Sequence, residues 1–396
     1  MQCLINKNIL LGITGSIAAY KSVELARLFI KAGANVRIIM SEEAKRFVTP
    51  LTFEAITGNN VLHVETESWA KDANHIHITK WADCFLIAPA TANTINKLAH
   101  GFADNLLLQT ALANTKPLLI APAANTHMIE HPATQTALQI LSQRGAKIID
   151  PISKLLACKD EGNGALAEPE TIFWHTARIL LQDKAWHSKK VIITGGGTIE
   201  KIDDVRCLSN FSSGKMAEAL AMALYIKGAT VTLISSATPY HELLPITRIP
   251  FSSSLSLKEE LSSRIDDSDY LFMAAAVNDY VLTQPHKGKL KKEDLGDQWN
   301  ITLSKNIDIL ASIDKTKIKT IGFKAEMDAT VAQNNARKML TAKNLDAVCL
   351  NVLNHDNMFG SDYNAVTFIT KESDTQIPLN DKLTVALRLV ELSQAL

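Results

Sequence analysis

The stretch KKVIITGGGTIEKIDDVRCLSNFSSGK, residues 189–215, decides the fold of this chain. It begins with the apolar run Val191 to Thr194, continues through three consecutive glycines, and reaches a predicted helix near Ser212 after a long polar loop. An apolar run followed by glycines and a helix is typical of the first strand, turn and helix of a nucleotide-binding α/β domain. The sequence therefore predicts that such a domain begins near the middle of the chain.

An equivalent opening stands at the N-terminus, where residues 8–21 read NILLGITGSIAAYK. The continuous apolar run 9–13 is expected of a strand that a parallel sheet buries on both faces. The Gly15–Ser16 turn leaves backbone N–H groups free at the start of a helix predicted over 17–31. Such groups suit a phosphate, although a turn used only for tight packing fits the motif equally well. Two openings predict an α/β fold of two tandem Rossmann-like domains with parallel sheets, residues 1–188 and 189–396, held close by a short polar connector, 182–188.

Composition excludes several classes of function. The chain has 41 basic and 41 acidic residues, so it has no overall positive field that would hold nucleic acid. No apolar run is long enough to cross a bilayer, and the first apolar run is broken by Lys7, unlike a signal peptide. The five cysteines are scattered and form no CxxC pair. We expect a soluble, cytoplasmic protein with reduced thiols.

Polar side chains in the first half follow predicted strands at their carboxyl ends, where open α/β sheets bind ligands. Thr91 and Asn93 come after the predicted strand 84–88, and Asn125 comes after the strand 117–121. Each has a structural alternative, because Thr91 and Asn93 also suit a helix cap and Asn125 a turn. Cys158 lies in a polar, glycine-containing segment, which favours an exposed, reactive thiol over an inert buried one.

The first half resembles the flavin-containing cysteine decarboxylases. The resemblance is carried by GITGSIAAYK (12–21), His75-Ile76, APATAN (88–93), ADNLL (103–107), PAAN (122–125) and Ala157-Cys158. It implies a flavodoxin-like domain in which His75 is the base at the substrate cysteine, Asn125 binds the departing carboxylate and Cys158 donates a proton. The implied FMN site comprises Gly15, Ser16, Ile17, Ser41, Thr91 and Asn93.

The implied chemistry is physically consistent. A carboxylate beside an ordinary thiol does not leave as CO₂, because the electrons have nowhere to go, and a flavin provides the electron sink. A histidine with a pKa near neutrality suits proton abstraction. The sequence departs from the family pattern at Ala124, where the family has Met, and at Lys159 and Ala165, where it has Gly and Arg. These changes affect the clamping of substrate but leave the thiol in place.

The second half contains further candidates. Asp279 follows the predicted strand 270–274, where it can meet a metal ion or ribose, or cap a helix. The lysine-rich loop 286–292 is either a solvated face or a triphosphate clamp. Neither a Walker A motif nor a dinucleotide fingerprint is complete, so the domain is predicted to bind another nucleotide. A strand over 366–370 and a helix from Asn380 are predicted to close the chain.

This half resembles the CTP-using bacterial phosphopantothenate–cysteine ligases. The motifs are TGGGT (194–198), DVR (204–206), Asn210 with SSGK (212–215), AAAV (274–277) with Asp279-Tyr280, Lys289, KNIDI (305–309), Gly322-Phe323 and KNLD (343–346). The resemblance implies that CTP activates the carboxylate of 4′-phosphopantothenate as an acyl-cytidylate, which the cysteine amine then attacks. Cations must offset the phosphoryl charge that develops in such a reaction.

The resemblance also implies roles for individual residues. Asn210 would orient the acyl intermediate, Lys289 would stabilise the phosphate charge, and Asp279 would hold Mg²⁺ or Mn²⁺. The implied CTP site comprises Met273, Ala274, Ala275, Asp279, Lys289, Ile307, Asp308, Ile309, Leu310, Phe323, Lys338 and Lys343. The family has Pro where Ile307 stands, commonly Ala at Asn278, and Lys where Met339 stands, so Lys338 is assigned as its neighbour.

Both motif sets in this order resemble the family of bifunctional coenzyme A biosynthesis enzymes, in which the ligase product, phosphopantothenoylcysteine, is the decarboxylase substrate. The resemblance implies a homo-oligomer with trimers of the flavin domain and dimers of the ligase domain, hence a dodecamer. Two alternatives remain open at this point. One is a flavoprotein decarboxylase or prenyltransferase that acts on another substrate without CTP. The other is a non-catalytic regulatory flavoprotein, which would be expected to lack His75 or Cys158.

Overall fold

The structure is a computed structural model that describes residues 2–70, 73–155 and 161–396, with only the backbone at positions 155, 161, 292 and 294. Cys158 therefore lies outside the described residues. The chain divides into two compact units, residues 1–181 with 243–245 and residues 182–242 with 246–396. Each unit is built on a sheet covered by helices, which confirms the predicted α/β class of two tandem Rossmann-like domains.

The first unit contains a five-stranded parallel sheet in the order β2-β1-β3-β4-β5, the flavodoxin-like order. Its central strands are apolar on both faces because helices cover both sides. A separate antiparallel hairpin, β6–β7, follows the sheet. The strands are β1 (Asn8–Ile13), β2 (Asn35–Met40), β3 (Cys84–Ala90), β4 (Leu118–Pro122), β5 (Lys147–Ile148), β6 (Ile152–Leu155) and β7 (Glu161–Ala165).

Eight helices accompany these strands: α1 (Ala19–Lys31), α2 (Pro50–Thr57), α3 (His75–Trp81), α4 (Ala92–Ala99), α5 (Leu106–Ala113), α6 (Thr126–Glu130), α7 (Pro132–Gln143) and α8 (Pro169–Leu181). The helix predicted from residue 17 begins at Ala19 instead. Ser16 explains the difference, because its Oγ accepts from the Ala18 N–H at 3.2 Å and holds the chain in a turn. Ile17 is left 60% exposed in that turn.

The second unit contains an eight-stranded sheet in the order β12-β11-β8-β13-β16-β17-β18-β19. Its first six strands are parallel and follow the Rossmann order 3-2-1-4-5-6 when they are numbered within the unit. The strands of the sheet are β8 (Lys190–Gly195), β11 (Thr230–Ser235), β12 (Thr247–Pro250), β13 (Tyr270–Met273), β16 (Lys319–Glu326), β17 (Ala347–Val352), β18 (Tyr363–Thr370) and β19 (Asp374–Asp381). Two short antiparallel pairs stand apart: β9 (Ile199–Lys201) with β10 (Cys207–Ser209), and β14 (Tyr280–Leu282) with β15 (Leu303–Lys305).

The helices of this unit are α9 (Lys215–Lys227), α10 (Ser254–Ser262), α11 (Lys292–Leu295), α12 (Ile309–Ser312), α13 (Ala329–Ala342) and α14 (Lys382–Ser393). The helix predicted near Ser212 begins three residues later because Gly214, at φ +71°, adopts a left-handed conformation just before it. None of the described helices combines the length and apolarity that a bilayer-spanning segment requires.

The predicted parallel sheets are confirmed, and the sheet of the second unit also has an antiparallel edge at its C-terminal end. There β18 and β19 run antiparallel, and β19 was not predicted at all. Only Ile377 is buried along β19, and Pro378 interrupts its sequence, so no apolar alternation marks it. An edge strand tolerates both features, because one of its sides needs no backbone partner. The last helix begins at Lys382 rather than Asn380, capped by the Asp381 side chain.

The segment predicted to be a polar connector is packed into the second unit. Trp186 is almost fully buried, and its ring lies 4.7 Å from that of Tyr270. The Asp183 N–H also donates to the carbonyl of Lys227 at 2.8 Å. The domain boundary between residues 188 and 189 stays a prediction.

A buried threonine closes the first strand of each sheet. Thr14 Oγ1 accepts the Thr91 N–H at 3.0 Å and donates to the Pro89 carbonyl at 2.7 Å, which joins the end of β1 to the end of β3. Thr194 Oγ1 accepts the Ala275 N–H at 3.1 Å, which joins β8 to the chain after β13. Both bonds span the point where the strand order reverses, so both position the crevice in which such sheets bind ligands.

His175 on α8 makes the stability of the first unit sensitive to acid. Burial, followed by the charges of Lys147 and Arg178, lowers the pKa of this imidazole to about 4, against the opposing effect of Asp150. Between pH 6.5 and 4 the unfolded chain binds a proton that the folded one does not. The free energy of unfolding therefore decreases as the pH is lowered from 6.5 to 4. His175→Gln removes this titration, so its free energy of unfolding should decrease by about 1–2 kcal/mol less over this pH range than that of the unsubstituted chain. The effect is limited to this size because the ring is partly exposed. Calorimetric unfolding between pH 7 and 4 measures it.

The matched control is His355→Gln, whose side chain is fully exposed. It should follow the pH profile of the unsubstituted chain. An unchanged profile in His175→Gln would contradict the assignment.

Candidate active sites

The first unit has a cavity of about 600 Å³ at the carboxyl edge of its sheet. Its walls come from the segments that follow β1, β2, β3 and β4, with the end of the β6–β7 hairpin on one side. The cavity thus lies at the β1/β3 switch point, and its volume is within the range of ordinary ligand pockets.

One end of this cavity is suited to an anion. Among the described residues, the N–H groups of Gly15 and Ile17 have no backbone acceptor, and both residues line the cavity just before α1. The positive end of the 13-residue helix α1 adds to the attraction for negative charge. Gly15 is needed here, because a Cβ at this position would lie 2.5 Å from the Cβ of Glu43.

The structure brings the predicted flavin residues together. The cavity lining includes Gly15, Ser16, Ile17, Ser41, Thr91 and Asn93, together with Asn125. The helix-cap alternative holds at Thr91, whose Oγ1 accepts the Thr94 N–H at 3.2 Å, whereas Asn93 lies inside α4. Asn125, for which a turn was the alternative, caps α6, because its Oδ1 accepts the His127 N–H at 2.9 Å. Capping and lining are therefore compatible, and each cap fixes its side chain at the rim.

His75 is not among the residues that line the cavity. It begins α3, and its Nδ1 lies 2.7 Å from Oε1 of Glu67. A proton on Nδ1 is donated to this carboxylate, which leaves Nε2 as the acceptor. The ring of Trp69 packs edge-to-face against the imidazole at 5.6 Å. His75 is thus oriented as a base, but this chain alone does not bring it into the cavity.

Several cavity residues had no role assigned from the sequence. Lys21 lies in the first turn of α1, directly after the Gly15–Ser16 turn that lines the same cavity. Lys154 on β6 and Gly164 on β7 come from a hairpin far along the chain, and no local pattern predicts their position.

The second unit has a cavity of about 810 Å³. It is lined by residues 210–217 at the start of α9, by residues 273–280 after β13, and by segments near β16 and α13. The cavity thus lies beside the β8/β13 switch point, the position equivalent to that of the first cavity.

Backbone pairing fixes the loop after β13. The Ala276 N–H donates to the Gly196 carbonyl at 2.8 Å, and the Thr198 N–H donates back to the Ala276 carbonyl at 3.0 Å. The Asn278 side chain donates to the carbonyls of Thr198 and Leu208. Asp279 follows in this rigid loop and precedes the strand β14, so the helix-cap alternative for Asp279 is wrong.

Asn210 is held at the cavity by both its backbone and its side chain. Its Nδ2 donates to the Val277 carbonyl at 3.3 Å. A Cβ on Gly197 would lie 2.8 Å from the Asn210 carbonyl oxygen, so the third glycine of the opening motif allows this close approach.

Asp308 and Lys343 form an ion pair at 2.8 Å in the cavity wall. Burial opposes ionisation of Asp308, but the hydrogen bond from Lys343 and the Ala311 N–H outweigh it and hold the pKa of Asp308 below its usual value. Of the predicted nucleotide residues, those that line the cavity are Met273, Ala274, Ala275, Asp279, Ile307, Asp308, Ile309, Leu310, Phe323 and Lys343.

The structure does not bring Lys289 or Lys338 into this cavity. Lys338 is exposed on α13 while Met339 lines the wall, because neighbouring residues of a helix point about 100° apart. Lys289 is exposed in a loop tied to the turn before β10, where the Gly288 N–H donates to Asp204 at 2.7 Å and the Leu290 N–H donates to Asp203 at 3.2 Å.

Another part of the cavity wall comes from the loop between β17 and β18, the start of β18 and the start of α14, which the sequence alone did not connect to the site. Its residues include Met358, Phe359, Asn364 and Lys382. Burial, followed by the charge of Lys215, lowers the pKa of Lys382 to about 8, although Asp362 opposes the shift. This part of the wall is therefore cationic and has a lysine that titrates near neutrality.

One further group of side chains has the ligand types of a metal site. Ligand atoms of Glu42, His63 and Glu65 lie within 4.8 Å of one another. Lys45 already lies between the two carboxylates, at 2.6 Å from Glu42 and 2.7 Å from Glu65. The ammonium group supplies the positive charge that a metal ion would otherwise provide.

Comparison with known proteins agrees with this two-unit arrangement. A family model described as Flavoprotein matches residues 1–180, and one described as DNA/pantothenate metabolism flavoprotein C-terminal domain matches residues 186–396. These matches define a flavoprotein followed by a pantothenate-metabolism domain.

The relatives carry the assignment further. The coenzyme A biosynthesis bifunctional protein CoaBC of Vibrio vulnificus (strain CMCP6) is 37% identical over 100% of this chain and 99% of its own length. CoaBC of Bacillus subtilis (strain 168) is 39% identical over 99% of this chain and 97% of its own length. A crystal structure of the C-terminal domain of CoaBC aligns with 54% of this chain and 97% of that chain, with 29% identity and a TM-score of 0.45.

The chain belongs to the CoaBC family of bifunctional coenzyme A biosynthesis proteins. This confirms the predicted function as two steps of coenzyme A biosynthesis, with decarboxylase and ligase activities in one enzyme. A flavoprotein without a ligase half does not fit a match that extends over both units.

Lys382 should react unusually fast with an amine-selective acylating reagent. Because its pKa is lowered to about 8, half of its amine is neutral at that pH. Labelling followed by mass spectrometry from pH 7 to 11 should give a midpoint near pH 8 for Lys382. Lys215→Met should raise the Lys382 midpoint, since it removes the neighbouring charge. A Lys382 midpoint near the ordinary lysine value of about 10.4 in the unsubstituted chain would contradict the lowered pKa.

Proposed function

We propose that the second unit, residues 189–396, joins cysteine to 4′-phosphopantothenate with CTP, and that the first, residues 1–188, decarboxylates the product with FMN to give 4′-phosphopantetheine. The observation that carries the proposal is that each unit has its own cavity at its switch point, lined by most of the residues assigned to it. Two separate cavities suit two successive reactions.

The second cavity has groups suited to carboxylate activation. Lys305, Lys324 and Lys343 line it and would offset the charge of the nucleotide phosphates. Asn210 would orient the acyl-cytidylate, and the cysteine amine would displace CMP. Lys289 is assigned to the phosphate charge on the resemblance alone.

A divalent cation fits the oxygen donors of this cavity. Asp279 lines it and is in no ion pair among the described residues, whereas Asp308 is already paired with Lys343. Mg²⁺ prefers one or two carboxylates together with substrate phosphates, and Mn²⁺ is bound by similar ligands. We therefore assign the metal to Asp279 and the phosphates of CTP.

The first cavity has the volume and donors for FMN, with its phosphate at the Gly15–Ser16 turn. Bound FMN supplies the two-electron chemistry that allows CO₂ to leave a thiol-bearing carbon. His75, oriented by Glu67, would take the proton at the substrate cysteine. Asn125 at the rim would hold the carboxylate, and Cys158 would return a proton.

The assembly and location of the enzyme belong to the same proposal. We expect a cytoplasmic homo-oligomer, a dodecamer with trimers of the first unit and dimers of the second. Its substrates are 4′-phosphopantothenate, cysteine, CTP and phosphopantothenoylcysteine, with no role for nucleic acid or a membrane.

The purified chain, given 4′-phosphopantothenate, cysteine, CTP and Mg²⁺, should release pyrophosphate and then CO₂. In Asn210→Asp we expect about 100-fold slower amide formation, because a carboxylate cannot donate a hydrogen bond to the acyl intermediate and repels its charge. Pyrophosphate release should be affected less, since activation precedes the step that uses Asn210. Separate assays of pyrophosphate, amide and CO₂ test the order.

Asn300→Asp is the matched control, since Asn300 is exposed and does not line the cavity. It should keep all three rates. No pyrophosphate from the unsubstituted chain would refute the ligase step, and undiminished amide formation by Asn210→Asp would refute the role of that residue.

A further inference from the structure

Two lysines share one carboxylate at the wall of the first cavity. Lys21 Nζ lies 2.8 Å from Oε2 of Glu168, and Lys154 Nζ lies 3.2 Å from Oε1 of the same residue. We call this set the Lys21–Glu168–Lys154 cluster. Each ammonium thus contacts a different oxygen of a single carboxylate, which leaves one positive charge in excess.

The contacts of the cluster favour its ion pairs. Burial lowers the pKa of Lys21, and the hydrogen bond to Glu168 opposes this effect. Burial also opposes ionisation of Glu168, and the hydrogen bonds from both lysines outweigh it, so the pKa of this carboxyl lies below its usual value. The geometry thus places two amino groups on one carboxylate.

The side chains of the two lysines differ in how far they are exposed to solvent. The side chain of Lys21 is 9% exposed, whereas that of Lys154 is 42% exposed. Both residues line the cavity. Lys21 is fixed in the wall, and Lys154 is the member that is accessible to a ligand entering from solvent.

The hairpin that carries Lys154 is firmly placed against the sheet. The Ala124 N–H donates to the Gly164 carbonyl at 3.0 Å. A Cβ on Gly164 would lie 2.2 Å from the Ala124 carbonyl oxygen, so the two segments are in direct backbone contact. Lys154 pairs with Gly162 on the same strand as Gly164, so this contact places the backbone of Lys154 beside the cavity.

The other charged residues of the lining do not carry the same excess. Lys97 is paired one-to-one with Asp104 at 2.5 Å. Glu43, the acidic residue of the described lining, lies beside Gly15 at the turn before α1. The excess of cations over carboxylates is thus confined to the Lys21–Glu168–Lys154 cluster and does not extend to the whole cavity, since Glu43 adds a carboxylate elsewhere in the lining.

We propose that Lys154, supported by Lys21, binds the phosphate monoester of the decarboxylase substrate. The inference rests on the proposed function, in which this substrate is phosphopantothenoylcysteine. The phosphate of FMN is already provided for by the N–H groups at the start of α1, so a second phosphate needs its own cations. A phosphate dianion carries more negative charge than Glu168 and forms charge-assisted hydrogen bonds with an ammonium, so it would compete with Glu168 for Lys154.

The test compares two substrates supplied directly to the flavin-loaded full chain, phosphopantothenoylcysteine and its dephosphorylated form, pantothenoylcysteine. In Lys154→Met, KM for CO₂ release from the phosphorylated substrate should rise about fivefold, as expected for a partly exposed ion pair. KM for pantothenoylcysteine should change less than about twofold. The difference should shrink as ionic strength rises, because salt screens the contact.

Two other variants separate this role from a structural one. Glu168→Gln should lower KM for the phosphorylated substrate, because it releases Lys154 from a competing carboxylate, whereas a purely structural cluster would make both variants worse. Lys97→Met, at a paired lysine of the same cavity, should leave the ratio of the two KM values unchanged.

The outcomes are decisive in each case. An equal rise of KM for both substrates in Lys154→Met, or a rise for the phosphorylated substrate in Glu168→Gln, overturns the subsite. If Lys154→Met weakens binding of FMN but not of riboflavin, the phosphate is that of the cofactor and the proposal is wrong. If the unsubstituted flavin-loaded chain releases no CO₂ from phosphopantothenoylcysteine, the proposed function itself fails.

Discussion

Both cavities depend on a hydrogen bond from a buried threonine hydroxyl across the switch point of a parallel sheet. Thr14 holds the segment after β3, and Thr194 holds the segment after β13, each by accepting one backbone N–H. Both hydroxyls are almost completely buried, where losing such a bond costs more than it would in water. Each bond therefore fixes the distance between the carboxyl end of one strand and the segment after its neighbour, so the crevice exists before any ligand binds. The glycines beyond each threonine then let the chain turn close to it.

Local charge matters more in this enzyme than total charge. The chain as a whole is balanced, with 41 basic and 41 acidic residues, yet each cavity has lysines in excess of the carboxylates that pair with them. In the first unit the excess comes from two lysines on Glu168. In the second, Lys215 pairs with Asp362, while burial and then the charge of Lys215 lower the pKa of Lys382. Cavities lined in this way concentrate anionic substrates although the average surface is neutral.

The sequence predicts the parts of the fold that depend on local pattern. The apolar run 9–13 forms β1, Asn8–Ile13, and differs from it by one residue at the start, because an apolar run between turn residues has few alternatives. The flavin residues of the first cavity could be assigned because the family resemblance implies them, and the structure places them in the segments after successive strands. Prediction failed where position depends on packing against distant parts of the chain. The strand β19 was missed because it is polar and contains Pro378. Lys154, on the β6–β7 hairpin, and Lys382, directly after the β18–β19 hairpin, line their cavities although no local motif marks them. Lys338 was misplaced because a one-residue shift on a helix turns the side chain away from the wall.

The central claim is that a preformed crevice at the β1/β3 switch point is a flavin site, coupled in one chain to a separate nucleotide site. The absorption spectrum of the purified chain tests it most directly, recorded as isolated and again after incubation with FMN and gel filtration. The account predicts visible flavin bands that stay with the protein through the column. A chain that remains colourless after this treatment would contradict it.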